Sequence, residues 1–250
     1  MRIKLKIFLG ISYLLILLTF LYFFFSAFEI SRLNDFSYYK ELQVDLENYI
    51  GNNLYRNLLL FFIFSIAWVM MFGFGSPILL VSGILFGKWL GTFVSVISIS
   101  IGTLGLYIIA TFFFAELVNN LFKERIKKYI NLFRKNEFYY FLIFRLAGGL
   151  GFPFPIQNIL PVIFNMSKIN YFFSSLLGFI PQFFIWNTIG SGLNDYIQKS
   201  NDFNLLEFIS SKEIYLPLIL FLILILISVA IKKKFFDDKI DNQKENNTNG

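Results

Sequence analysis

The sequence contains no cysteine and no histidine. Without thiols no disulfide can form, and without thiolate or imidazole ligands no Cys/His metal centre can be built. Triads that use His or Cys, and zinc motifs such as HExxH, fall to the same two absences. Charge is also scarce: 15% of the 250 residues are ionisable in the Asp, Glu, Lys and Arg sense, where a soluble domain carries about a quarter. Much of the surface must therefore face something other than water. No Asp interrupts a long apolar stretch, which removes the paired-aspartate plan of an intramembrane protease. The sequence predicts neither an enzyme nor a bound cofactor or metal.

What is abundant points to lipid. Hydrophobic residues make up 56% of the chain, and Phe alone occurs 35 times. The expected class is an all-α integral membrane protein. The Phe-, Ile-, Asn- and Lys-rich bias fits an AT-rich genome and suggests a bacterial inner (plasma) membrane. The net charge is +6. Its basic residues flank apolar segments, so anionic lipid headgroups are the expected partners and nucleic acid is not.

The first apolar stretch, Ile7 to Phe28, is long enough to cross a bilayer core. Arg2, Lys4 and Lys6 precede it, and Ser26-Ala27-Phe28 makes a poor cleavage site, so residues 1–28 read as a retained signal-anchor helix. Residues 29–56 lean acidic, 116–137 basic and 191–213 acidic, and the tail opens with Lys232-Lys233-Lys234. By the positive-inside rule the N-terminus, 116–137 and the tail are cytoplasmic, while 29–56 and 191–213 are external. An odd number of crossings must then lie in 57–115 and again in 138–190. Each interval is too long for one span and too short for three. One re-entrant hairpin plus one span satisfies both length and charge. The hairpins are expected at about 57–88 and 138–167, and the spans at about 89–115, 169–190 and 214–231. Residues 193–231 then hold an external loop and the last span, and 232–250 a disordered tail. The stretch Lys123 to Lys135 reads as an amphipathic helix lying in the membrane interface.

The two intervals are related. Gly73, Phe74, Pro77, Ile78 and Phe86 match Gly151, Phe152, Pro155, Ile156 and Phe164 without a gap. Because the copies enter from opposite faces, they form an inverted repeat whose broken helices meet near the midplane, a common plan of transporters. The candidate tips are Gly75, Ser76 and Pro77 in the first half and Pro153 and Pro155 in the second, where Pro and Gly suit interrupted backbone.

Arg145 is the candidate site residue. Eight residues beyond Glu137, it lies about 12 Å along a helix, inside the apolar zone or just beneath its edge. A charge there costs about 2.5–3.5 kcal/mol even on the lenient insertion scale, so it needs a partner or a task. It either holds an anionic phosphate in its planar fork, or snorkels to the surface or caps carbonyls at a tip. Asn158 either bonds carbonyls freed by the Pro break or lines a polar path with Arg145. Gln157, Asn165, Gln182 and Asn187 are the other strong polar groups of this half. Lys168 is expected to anchor at the interface by snorkelling. Serines and glycines from Ser76 to Gly105 form a small-residue face suited to close helix packing.

Phe144-Arg145-Leu146, Pro153-Phe154-Pro155, Asn158, Gly178, Pro181 and Gly190-Ser191 resemble the second-half signature of the DedA superfamily, in the branch of SNARE-associated Golgi (VTT-domain) membrane proteins. Ser76-Pro77, Gly83-Ile84-Leu85-Phe86-Gly87 and Gly91 resemble its first-half signature. The resemblance covers about 57–192. It implies two opposed re-entrant hairpins and movement of phospholipid or polyprenyl-phosphate between leaflets. It also implies a functional role for Arg145 and tip roles for Pro153, Pro155 and Asn158. The chain departs from some bacterial members in having no Asp or Glu within 57–115. That removes the carboxylates of a proton relay and favours energy-independent scrambling. A small-solute or ion transporter of the same architecture, a non-transporting scaffold and a homo-oligomer all stay open at this point.

Overall fold

The computed structural model describes residues 36–51, 53–71, 73–200 and 204–232, with parts of 8–22. Most of the expected signal anchor, the residues around 29–35 and the tail from 233 lie outside the described residues. The described helices are α1 (Phe36–Gly51), α2 (Leu54–Met70), α3 (Gly75–Lys135), α4 (Glu137–Leu146), α5 (Phe154–Ile159), α6 (Lys168–Lys199), α7 (Leu205–Ser210) and α8 (Lys212–Lys232). Two 3₁₀ turns, Gly148–Gly151 and Leu160–Val162, flank α5. No strand occurs among the described residues, and the all-α expectation holds.

Two segments are long and apolar enough to cross a membrane, Gly75–Phe114 and Lys168–Lys199. Leu54–Met70 and Ile214–Ile227 are shorter apolar helices. Side chains are distributed inside out relative to a soluble domain. Ile169, Phe173, Leu177 and Ile180 form an exposed stripe on α6, and Phe93, Ile101 and Ile108 do the same on α3. Ser82, Ser95, Ser98, Ser100, Thr103, Ser174, Ser175 and Asn187 are all fully buried. Water would reward the opposite arrangement.

The long helix α3 is not continuous in geometry. Gly87 has φ 71° and ψ 176°, so the chain breaks there into an arm from Gly75 and a longer helix beyond. α2, the turn after it and this arm form one helix–turn–helix unit. α4, the Gly148–Gly151 turn, α5 and the Leu160–Val162 turn form a second. Its ends meet: the Glu137 carboxylate accepts from the Ser167 backbone N–H at 3.1 Å and from Asn170 Nδ2 at 2.6 Å. Entry and exit of the second unit therefore lie at one level, beside the start of α6. In the first unit Phe86, at the end of the return arm, packs edge-on against Phe61 of α2 at 5.3 Å. Lys88, just past the Gly87 break, lines a cavity with Asp195 of α6. Asp195 is 27 residues, or about 40 Å, along α6 from Lys168. The two units thus close at opposite ends of α6.

Backbone beyond the first span differs from the sequence expectation. Helical structure runs without a second break from beyond Gly87 through the basic segment to Lys135. The stretch Lys123–Lys135 is a continuation of the long helix, not a separate helix turned into the interface. A gradual change of composition marks no helix end; only a capping signal does, and none precedes Asn136.

The crossing of α3 and α6 is close because its contact residues lack side chains. A Cβ on Gly83 would run into the Asn187 carbonyl, and one on Gly190 into the Leu80 carbonyl. Helices associate in lipid largely through such approach. Gly83→Val or Gly190→Val is expected to cost about 1–3 kcal/mol, the usual overpacking penalty. The check is a lowered melting temperature of the detergent-purified protein, and a wild-type melting temperature would show that the contact is not tight.

Candidate functional site

The site is built where the second helix–turn–helix unit meets α6. α4 ends one residue after Arg145, and the chain then takes four consecutive positive φ values. These are Gly148 (63°), Gly149 (72°), Leu150 (55°) and Gly151 (84°). Three of the four are glycine, the residue that tolerates this region without a Cβ penalty. The corner reverses the chain and leaves Gly148 and Phe152 carbonyls unpaired by helix. Gln157 Nε2 donates to both, at 3.2 and 2.7 Å. At the aligned position of the first unit, Trp68 Nε1 donates to the Phe74 carbonyl at 2.8 Å. Each turn thus has an amide or indole N–H serving the carbonyl of the matching Phe.

Arg145 is the largest fully buried side chain among the described residues, at 1% exposure. Its Nε donates to Ser175 Oγ at 3.2 Å, Nη1 to Gln157 Oε1 at 3.3 Å, and Nη2 to Asn158 Oδ1 at 2.8 Å and Tyr171 Oη at 3.0 Å. The rings of Phe141 and Phe179 lie 4.7 and 4.6 Å from its central carbon, a cation–π arrangement on both sides. No carboxylate pairs with it among the described residues. Every acceptor it has is neutral. One Nη1 hydrogen has no acceptor there, and Asn158 Nδ2 is buried without a partner. Two unused donors therefore belong to the same sealed cluster.

The cluster is held from three sides. Tyr171 stacks on Tyr107 of α3 at 4.6 Å and its hydroxyl reaches the Thr103 and Asn158 carbonyls. Tyr107 in turn donates to the Met166 carbonyl at 2.6 Å. Gly178 lets α4 approach α6, since a Cβ there would strike Arg145 Cβ. The two turns come close as well: a Cβ added to Gly75 would lie 3.6 Å from the Phe154 ring, in ordinary van der Waals contact. Phe154 also packs on Phe179 at 5.9 Å, within the core shared by both units.

Several sequence expectations are redirected by this geometry. Arg145 neither snorkels nor caps a carbonyl. The tip carbonyls expected for Asn158 are served by Gln157, while Asn158 is spent on Arg145. Gly75 is buried, Ser76 half-buried and Pro77 exposed in the first turn of its helix, where a missing N–H costs nothing. Pro153 is exposed and caps α5, and Pro155 is half-buried just inside it. Lys168 is exposed at the first position of α6, far from the guanidinium. Tyr171, Ser175 and Phe179 were not singled out from sequence. Their spacing of four on a helix that also holds Gly178 was the available signal, and α4 repeats it with Phe141 and Arg145.

The VTT domain model matches residues 59–192, more than half the chain and spanning both helix–turn–helix units and most of α6. The chain belongs to the VTT-domain family. This is the domain of the DedA and SNARE-associated Golgi proteins, which are membrane proteins and not a known enzyme class. No solved structure matches the chain. Family membership agrees with the inverted polarity of the fold and assigns it a transporter-like or lipid-related role.

The Gln157 side chain ties the VTT turn to its arginine. Gln157→Leu would leave the Gly148 and Phe152 carbonyls without their side-chain donor and a buried guanidinium N–H unpaired, at about 1–3 kcal/mol for the buried group. Thermal unfolding in detergent is expected to fall by several degrees, with Gln157→Glu less damaging because it restores an acceptor for Arg145. Equal stability of Gln157→Leu and wild type would mean that water satisfies the turn.

Proposed function

We propose that this VTT-domain protein moves phosphate-bearing lipids, phospholipid or polyprenyl-phosphate, between leaflets by energy-independent scrambling. In this reading the two helix–turn–helix units are re-entrant hairpins inserted from opposite faces. The α4 arm of 10 residues rises about 15 Å, half of a 30 Å hydrocarbon core, so it reaches the midplane and turns back. Opposed closing ends and closely spaced tips support the inverted arrangement. The orientation is the one that puts the basic end, with Arg134, Lys135 and Lys168, in the cytoplasm.

The observation that carries the proposal is a fully buried guanidinium with four neutral acceptors, one N–H of its own and the adjacent Asn158 Nδ2 unused, and no carboxylate partner among the described residues. A structural arginine in an apolar core normally has a carboxylate partner, because an unneutralised charge is expensive there. Here the missing negative charge is what a lipid phosphate supplies. Neutral hydrogen bonds to Ser175, Gln157, Asn158 and Tyr171 hold the fork in place and can be exchanged for phosphate oxygens as the tips part. Phe141 and Phe179 stack against the fork and keep it dry between encounters. A carboxylate-free path has no proton relay, which fits passive exchange.

In proteoliposomes with fluorescent phospholipid and dithionite quenching, wild type is expected to accelerate exchange over protein-free vesicles. Arg145→Ala and Arg145→Lys should each lower the rate at least about tenfold, since one lost charge-assisted fork is worth that much. Lys retains charge and occupies the cavity, so it separates loss of the fork from loss of folding. Full activity in both variants, at normal expression, would remove the phosphate role.

The chain has no native cysteine, so single-cysteine mapping starts from a clean background. With a membrane-impermeant maleimide, Phe152→Cys is expected to react from the Lys168 side or not at all, and Phe74→Cys from the Lys88 side or not at all. Labelling of either from the opposite side would make that helix break part of a continuous crossing, and the hairpin reading would fail.

A further inference from the structure

Hydrogen-bond donors outnumber acceptors at one place in the core. Arg145 is the only charged residue buried among the described residues. Of the buried side-chain atoms without a partner there, Asn158 Nδ2 is the only nitrogen, and Asn158 is fully buried. The two belong together: Asn158 Oδ1 accepts from Arg145 Nη2 at 2.8 Å, and Nδ2 is carried on the same amide carbon. A guanidinium has five N–H groups. Four are taken, by Ser175, Gln157, Asn158 and Tyr171, and one Nη1 hydrogen is not. The Phe141 and Phe179 rings cover both faces of the fork at 4.7 and 4.6 Å, so a further partner must approach in its plane. Two needs are then unmet: N–H groups lack an acceptor, and a positive charge lacks a negative one. Water supplies an acceptor and no charge. A carboxylate would supply both, but neither 57–115 nor 138–190 contains Asp or Glu. At 1% exposure the closed cluster admits no headgroup. A monatomic anion fits the remaining requirements, since it needs little room and accepts N–H from any direction.

We propose that the closed state holds a chloride ion as the counter-ion of Arg145, bound by the free Nη1 hydrogen and by Asn158 Nδ2, and that lipid phosphate takes its place when the tips part. The ion offsets the cost of an unneutralised charge in an apolar core. It also turns opening into an exchange of one anion for another, so the guanidinium is never left bare. Chloride thereby sets how firmly the closed state is held. The chloride site stands on the geometry of the cluster, and its displacement rests on the translocation reading.

The test uses the full-length protein, purified in detergent in sodium gluconate, with chloride or bromide replacing gluconate at constant ionic strength. The melting temperature of wild type is expected to rise by several degrees, and the gain to saturate, at halide concentrations up to about a hundredfold above Kd. Broadening of the chlorine NMR line by the protein reports the ion directly. Lys88→Gln with Lys212→Gln removes two exposed lysines far from the cluster and should keep the full effect. Asn158→Asp should abolish it, because the new carboxylate neutralises the guanidinium from inside. That variant is expected to be at least as stable in gluconate as wild type. Arg145→Gln should abolish the effect too, and where it does not fold, Asn158→Asp and the wild-type titration still decide. In proteoliposomes, lipid exchange by wild type should run severalfold slower in chloride than in gluconate. Equal melting temperatures in chloride and gluconate overturn the proposal, since water then suffices. A chloride effect that survives in Asn158→Asp, or that vanishes with the two lysines, also overturns it, because the ion then sits elsewhere. Lipid exchange indifferent to a bound chloride overturns the displacement. Chloride binding as described, with no lipid exchange in either salt, keeps the counter-ion and removes the translocation reading. Lipid exchange with no halide effect on stability does the reverse.

Discussion

Backbone that leaves a helix inside an apolar slab has to find its hydrogen bonds from side chains, because water is not there to provide them. In the proposed re-entrant reading the two helix breaks of this protein meet that constraint, and each is closed by one side chain that reaches the carbonyl of an equivalent Phe. Trp68 does this from the entering arm of the first unit and Gln157 from the return arm of the second. The same Gln157 turns its oxygen to Arg145. The turn, the buried charge and the packing of α4 on α6 are therefore one coupled arrangement. Disturbing any of the three exposes the other two to unpaired polar groups, each worth about as much as a typical destabilising mutation.

That coupling explains why the two halves look alike in outline and differ in chemistry. Both place a turn, a short return arm and a break before a long helix, and both long helices begin with a lysine, Lys88 in one half and Lys168 in the other. The first half fills its interior with hydroxyls: Ser95 donates to Ser82, and Ser82 to the Gly91 carbonyl. Ser82 and Ser95 satisfy each other locally, while Ser100 Oγ is buried without a partner. The second half fills its interior with a guanidinium that its own neutral partners do not neutralise.

Much of the plan was legible in the sequence, for identifiable reasons. The all-α membrane class follows from the hydrophobic content and the long apolar runs, quantities that a sequence states directly. The turns were legible because Gly and Pro cluster at aligned positions. Arg145 stood out because a charge in a long apolar run is rare. What surrounds Arg145 was not legible. Tyr171, Ser175, Phe141 and Phe179 are ordinary residues of apolar helices, and only the rotation of α6 against α4 decides that they face the guanidinium. Asn158 and Gln157 are adjacent amides on a short helix, and sequence gave no basis for assigning one to the arginine and the other to the turn. The unbroken run of α3 to Lys135 was missed for a different reason: a basic composition marks where charge meets headgroups, and says nothing about whether the helix stops.

The sealed state of the site also constrains how it can work. At 1% exposure Arg145 meets no headgroup in this conformation, so the proposed exchange would require the tips to separate. Resistance to separation comes mainly from the apolar core that both units share, in which Phe154 of the second unit packs with Ile78 and Leu79 of the first. These are dispersion contacts, individually weak and replaceable by acyl chains at little cost, because lipid tails are as apolar as the side chains they displace. The polar contacts, by contrast, are mostly internal to the second unit and α6, and need not break when the two tips part. An opening that trades protein–protein for protein–lipid apolar contact, and gives up the arginine's neutral partners only as phosphate oxygens replace them, has a low thermodynamic penalty without any external energy input. Passive exchange is therefore consistent with the lack of a carboxylate relay on physical grounds that do not depend on the arginine at all.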